Sequence, residues 1–310
     1  MALILSAGAD DNGRRLDRIL RKALPNLSLP FIYRLLRTNA VLVDGTPAHG
    51  ALRVQAGSTI TLLAGSIRAL PPRCAPVQAL SAALEVLWEG DGLIAINKPA
   101  GVEVHGRHGL DQALGSYLLS TLKERSLSFK PGPLHRLDKL TSGVLMFSTS
   151  LAGAQRFSAF LRNRLVHKRY FALVEGRIES AARWEDRLVR DKSAGVSRVS
   201  RAEGALAITA VFPLGTYGGL SCILAEPETG RTHQIRVQAA AHGHPLVGDS
   251  RYGARPCKEG VFLHAFSLQF PGLARPILAQ PPVRFQKRAL SLGLDLALFF
   301  LVPLPHKHKF

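Results

Sequence analysis

Three short segments hold most of the side chains able to do chemistry: 97-NKPAGVEVHG-106, 135-HRLDKLTSG-143 and 230-GRTHQIR-236. In the middle one, Asp138 stands three residues from His135 and two from Arg136, with Lys139 adjacent and Thr141, Ser142 and Gly143 following. In isolation this tetrapeptide reads as a helix-capping aspartate beside an arginine in a surface ion pair, an interaction that contributes little. Alternatively, Asp138 belongs to a larger constellation that the other two segments complete. A hydrolase using His135 and Asp138 is a third reading, but no metal site or nucleophile–base pair accompanies them.

The signatures of commoner enzyme classes are missing. The chain has no GxxxxGK(S/T) phosphate loop, no GxSxG elbow, no HExxH helix and no dinucleotide fingerprint. His105 with His108, and His242 with His244, lack the cysteine or carboxylate partners of a metal centre, so no metal is expected. Cys74, Cys222 and Cys257 are odd in number and in no CxxC pair, which argues against a disulfide framework and for a reducing compartment.

Residues 14–25 place Leu16, Ile19, Leu20, Ala23 and Leu24 on one helical face, with Arg15, Arg18, Arg21 and Lys22 mostly opposite. A second helix is predicted from Pro30 to Arg37, with Ser28 as its cap and Ile32, Leu35 and Leu36 inward. VLVDGTPAHG, turning at Asp44-Gly45, and the alternating GSTITLL add strands to this basic module, bounded at 12–75. Residues 64–83 lose all periodicity among prolines and predict a linker.

From 84 to 285 the texture is strands and turns. LEVLWE and LIAINKPAG form a hairpin that ends in the Lys-Pro-Ala-Gly loop. Strands follow at 144–150, 168–176, SCILAEP and 262–270, with an amphipathic helix at 151–166 and a helix opening at Gly230-Arg231. Strands and helices do not alternate, so the predicted fold class is α+β with a mixed, largely antiparallel sheet rather than a doubly wound parallel one. Residues 286–310 stay unassigned: leucines at 290, 292, 294, 296 and 298 alternate like a strand, in a stretch apolar enough to pack as a helix.

Forty Lys and Arg against 22 Asp and Glu give a net charge of +18, which points to a polyanionic partner, either nucleic acid or an anionic membrane surface. Residues 1–80 carry 10 basic and 4 acidic side chains, so most of the excess lies further on. The N-terminus has no basic region of a secretory signal, and the apolar run Leu290 to Leu304 is short and holds Asp295. A soluble, cytoplasmic protein is expected.

Together the segments NKPAG (97–101), HRLDKLTSGV (135–144), KRYFALVEG (168–176), GRTHQIRV (230–237) and HPLVGDSRYG (244–253) resemble, in order and spacing, the RluA family of pseudouridine synthases. RRLDRILRKAL and PFIYRLLRTNAVLVDG resemble an S4 RNA-binding domain. The likeness covers roughly 14–285. His135 favours the RluA branch, since RsuA-like relatives typically have Gly before RLD.

The resemblance implies an enzyme that breaks the N-glycosidic bond of a uridine, turns the uracil and rejoins it through carbon, with no cofactor, nucleotide or metal. It makes Asp138 the essential carboxylate, as nucleophile or as acid/base on the sugar, and pairs it with Arg236. Either role needs Asp138 correctly ionised in a site from which solvent is partly excluded. Tyr170 is the implied active-site tyrosine, placed to stack on uracil and accept a proton, though a lone tyrosine is ordinarily a half-buried strand residue. Ile235 packs under the base or simply in the core. Arg136 is the wedge that fills the space left by the flipped base. Lys98, Lys139 and Arg231 hold phosphates, together with the basic run Arg156, Arg162, Arg164, Lys168 and Arg169. His135, Thr141, His233 and Gln234 complete the substrate-binding set, and Arg14, Arg15, Arg18, Tyr33, Arg34 and Arg37 the RNA face of the S4-like module. The implied substrate is large-subunit ribosomal RNA, acted on by a monomer. Transfer RNA, or a catalytically silent RNA-binding or ribosome-assembly role, is the alternative.

Overall fold

The computed structural model describes residues 2–63, 84–106, 109–121, 126–191 and 193–300. The predicted linker at 64–83 lies outside the described residues, as do Cys74, His108 and residues 301–310. Among the described residues no helix is long and apolar enough to cross a membrane.

The N-terminal module runs β1 (Leu3–Ser6), β2 (Arg14–Arg15), α1 (Leu16–Ala23), α2 (Leu29–Arg37), β3 (Val41–Val43), β4 (Thr46–Pro47), β5 (Arg53–Val54) and β6 (Thr59–Leu62). Its sheet order is β1-β6-β3-β4, with β2 and β5 paired separately. Asp44 and Gly45 both take positive φ, 50° and 80°, as a tight two-residue hairpin turn requires. Leu16, Ile19, Leu20, Ile32, Leu35 and Leu36 are buried against Ile60 and Leu62, leaving Arg18, Arg34 and Arg37 outside. Two details differ from expectation. Ser28 stands at the cap position without a side-chain capping bond, and β1, N-terminal to residue 12, is an integral strand on β6.

The larger module contains β7 (Val86–Gly90), β8 (Leu93–Lys98), α3 (Leu110–Thr121), β9 (Gly132–Pro133), β10 (Ser142–Ser148), α4 (Leu151–Arg162), β11 (His167–Glu175), β12 (Ala182–Asp191), β13 (Val196–Ser200), β14 (Ala205–Tyr217), β15 (Leu220–Pro227), α5 (Gln234–Ala241), β16 (Leu263–Gln269), β17 (Ile277–Leu278) and α6 (Val283–Leu290). One sheet runs β13-β12-β14-β15-β11-β16-β10-β8-β7, with β9 on β10 and β17 on β16. β10 and β16 are parallel; the other neighbouring pairs among the described residues are antiparallel. The class is therefore a mixed, largely antiparallel α+β fold.

Strand periodicity sorts the two faces. Tyr170, Ala172 and Val174 of β11 pack with Leu110 and Leu114 of α3 and Ile235 and Ala239 of α5. Phe171 and Leu173 point the other way, to Phe262, Phe266 and Phe285. Ala289, Leu292 and Leu296 join that second layer, so residue 286, the expected start of a tail, falls inside α6. Helix α4 is shorter than predicted, ending at Arg162 because Asn163 closes it and Arg164 turns to φ 56°. Gly143, at φ 115° where β10 meets β16, leaves no room for a Cβ against the Ala265 carbonyl.

Consecutive aspartates join the modules. Asp11 is fully buried and accepts hydrogen bonds from Gly8 N, Ser126 Oγ, Leu127 N, Ser128 N and Ser128 Oγ. Asp10 Oδ1 accepts from Leu151 N at the start of α4, 2.9 Å away, and Leu127 packs onto the core of the small module.

Candidate active site

Asp138 lies in the turn before β10, where Thr141 N donates to its carbonyl at 3.1 Å. Its side chain is 15% exposed and borders a cavity of about 360 Å³ that Leu137, Tyr170, Ile235, Arg236 and Leu263 also line. Volume and lining suit a small organic group on an apolar floor with a few directed polar atoms. Tyr170 enters from β11 at a break in its register against β16. Arg236 comes from the first turn of α5, and Arg136, Lys168 and Arg231 stand around the same opening.

Arg236 is 4% exposed and forked onto Asp249, with Nε to Oδ2 at 2.6 Å and Nη2 to Oδ1 at 2.8 Å. Its third nitrogen, Nη1, reaches Asp138 Oδ2 at 3.4 Å. Burial works against its charge, but Asp249 and Asp138 outweigh burial and raise its pKa. The guanidinium also lies over the Tyr252 ring, 5.1 Å from the centroid. On the other oxygen, His233 Nε2 stands 3.9 Å from Asp138 Oδ1. Burial, helped by the charge of Asp138, pushes the Tyr170 phenol well above its ordinary value. The phenol is therefore neutral at pH 7, better suited to donate a hydrogen bond than to act as a phenolate base.

Residues 92–241 match the family model described as RNA pseudouridylate synthase. The chain is 30% identical to the ribosomal large subunit pseudouridine synthase C of Vibrio vulnificus over 90% of its own length and 92% of the relative's. The protein of that name from Escherichia coli matches at 30% with the same coverage, and that from Haemophilus influenzae at 31% over 86% of each chain. The chain belongs to the RNA pseudouridylate synthase family. It is of the RluA type expected from HRLD. Among solved structures, the synthase fold is shared with human RNA pseudouridylate synthase domain containing 4, at TM-score 0.59 and 22% identity over 71% of this chain and 96% of that one. Domain containing 1 gives 0.56 and 27% over 72% and 97%.

In this synthase the expected residues separate into two groups. Asp138, Tyr170, Arg236, Arg136, Thr141, Arg231, His233 and Ile235 all line the one cavity. Lys98 does not. It is fully buried, and Nζ donates to the carbonyls of Pro99, Val102 and Lys139 at 2.9, 2.7 and 3.2 Å, so it ties two loops together instead of holding a phosphate. Burial, against the attraction of Asp138, lowers its pKa to about 8. Lys139 pairs on the surface with Glu103 at 3.2 Å.

Gln234 and His135 border the cavity, yet their polar atoms are engaged within the fold. The Gln234 amide bonds Thr229 Oγ1, Arg231 N, the Ile208 carbonyl and Thr209 Oγ1. His135 Nε2 accepts the Met146 N–H at 3.1 Å. The helix predicted from Gly230 begins at Gln234, because His233 at φ 56° interrupts it. In the small module, Arg15 and Tyr33 are both bonded to the Asp17 carboxylate, at 2.8 and 3.2 Å, while Arg18, Arg34 and Arg37 project freely enough to be exposed. Asp249 and Tyr252 were missed as site residues, although the GDSRYG turn that carries them stands plainly in the sequence.

Proposed function

We propose that this synthase converts uridine to pseudouridine in large-subunit ribosomal RNA, with Asp138 as the catalytic carboxylate. The observation that carries this reading is the meeting, in one cavity, of Asp138, the Arg236 guanidinium on its Oδ2 and the neutral Tyr170 phenol above an apolar floor. A uridine in folded RNA reaches such a pocket only by leaving its stack. Exposed Arg136 at the mouth is placed to occupy the gap, and Lys168 and Arg231 to meet the flanking phosphates. Inside, Tyr170, Ile235 and Leu137 offer surfaces for the uracil. Asp138 faces the sugar as nucleophile or acid/base, with the Arg236 guanidinium on its Oδ2. The relatives' names supply the ribosomal RNA. On the sequence resemblance to an S4 domain, the N-terminal module adds affinity through its exposed Arg18, Arg34 and Arg37.

The test is incubation with unmodified ribosomal and transfer RNA, followed by chemical mapping of pseudouridine. New sites in large-subunit RNA are expected, and Asp138→Asn should bind equally well yet form none. RNA bound without modification would overturn the reading, and product in transfer RNA alone would move its substrate.

A further inference from the structure

One wall of the cavity contains an imidazole whose orientation is set from behind. His233 takes the left-handed backbone conformation, φ 56°, just before α5, which few non-glycine residues adopt. Its Nδ1 lies 2.8 Å from the Tyr252 hydroxyl, and the ring of Tyr252 meets the imidazole edge-on. That hydroxyl also accepts the Ser197 N–H at 3.0 Å.

Among the described residues the Tyr252 hydroxyl has these two partners. Ser197 N can only donate, so the phenol hydrogen goes to His233 Nδ1. Nδ1 is therefore the acceptor, and the neutral ring carries its proton on Nε2, the nitrogen nearer Asp138. The opposite tautomer would leave the phenol hydrogen without an acceptor and turn a lone pair toward a carboxylate. Burial keeps the ring neutral against the pull of Asp138.

The same short turn does a second job. Asp249 orients Arg236 and Tyr252 orients His233, three residues apart, and these two donors address opposite oxygens of Asp138, at 3.4 and 3.9 Å. At 3.9 Å the imidazole acts on Oδ1 electrostatically, not through a formed hydrogen bond.

We propose that Tyr252 is a positioning residue for the isomerisation: its hydroxyl fixes the His233 tautomer that presents Nε2–H to the Oδ1 side of Asp138. This rests on Asp138 being the catalytic carboxylate. Tyr252→Phe is the sharp test, because it keeps the ring beneath Arg236 and removes the hydroxyl alone. We expect kcat for pseudouridine formation to fall about 3- to 10-fold, the scale of a lost hydrogen bond between neutral groups. KM for RNA should stay within about twofold, as for an interaction made in the transition state. His233→Asn, which tolerates the left-handed backbone, should fall similarly, and the double variant no further.

Nitrogen-15 spectra of the histidines should show His233 protonated on Nε2 in the wild type and losing that single form in Tyr252→Phe. A wild type with Nδ1–H, an unaltered kcat in Tyr252→Phe, or multiplicative losses in the double variant would each overturn the proposal. These outcomes are read against an active wild type; a wild type that makes no pseudouridine refutes the functional reading instead.

Discussion

Arg236 is bonded more closely to Asp249 than to Asp138: two short contacts, 2.6 and 2.8 Å, against one at 3.4 Å. The arginine is thus preorganised by Asp249 and offers only its remaining nitrogen to Asp138, the carboxylate proposed to react. Removing Asp249 leaves a guanidinium buried without its main anion, so Asp249→Ala should cost about 3–5 kcal/mol of stability. Asp138→Asn alters one long contact at the cavity edge and should cost less than about 1 kcal/mol. Urea unfolding of the two variants beside the wild type measures both.

Two desolvated histidines, the buried His264 and the half-buried His135, make the fold acid-sensitive. Burial, reinforced by the Lys168 charge, lowers the His135 pKa to about 3, and burial lowers that of His264 to about 4. His264 bonds both Ser142 Oγ and the Ala279 carbonyl, at 2.9 Å each. In the unfolded chain both titrate near 6.5, so between pH 6.5 and about 4 the unfolded state binds protons that the folded state refuses. Stability should therefore fall as pH drops through that window. His135→Gln, whose amide oxygen can still take the Met146 N–H, should show a shallower slope in urea unfolding at pH 7 against pH 4.5.

Asp11 offers a test of the contact between modules. Burial favours its neutral form, but the donors from Ser128, Leu127, Gly8 and Ser126 outweigh this and hold its pKa below 3.8. Its contribution is present above the ordinary carboxylate pKa and is lost as pH falls through the lowered value. Asp11→Ala leaves those donors unpartnered and should cost about 2–4 kcal/mol at pH 7, the range for orphaned buried groups facing a charge. Small-angle scattering should report a wider particle, and turnover of a short uridine hairpin should be unchanged.

Ending the chain after residue 285 removes Ala289, Leu292 and Leu296 from the layer around Phe171, Phe262 and Phe266. Loss of three buried apolar side chains should lower the thermal midpoint sharply or abolish soluble expression. Ending it after residue 300 keeps Ala289, Leu292 and Leu296 and serves as the comparison in circular dichroism.

Where the sequence spoke locally, it could be read. The two basic helices, the Asp44-Gly45 turn and the strands flanking the site follow from spacing and turn chemistry, and one cavity gathers the HRLD and RTHQIR segments. The gaps have physical causes. In β12, Trp184 and Leu188 are buried four apart between charged residues, so the strand's alternation is half hidden. β14 is apolar almost throughout, a pattern that periodicity cannot distinguish from a buried helix. Lys98 could not be recognised as a structural cation from its type, because its role depends on three carbonyls contributed by two loops 40 residues apart in the chain or nearly so. Asp249 was missed for the same reason: only the fold brings it to Arg236.

The aspartate pair joining the modules has a consequence for length. On the RNA-binding reading of the small module, a tethered domain would search for its site independently, while a clamped one meets RNA at a set separation from the pocket. Once one surface is engaged, the local concentration of the other depends on whether the RNA spans that gap. The protein then behaves as a caliper, and a uridine is chosen as much by its distance from a neighbouring fold as by the bases around it.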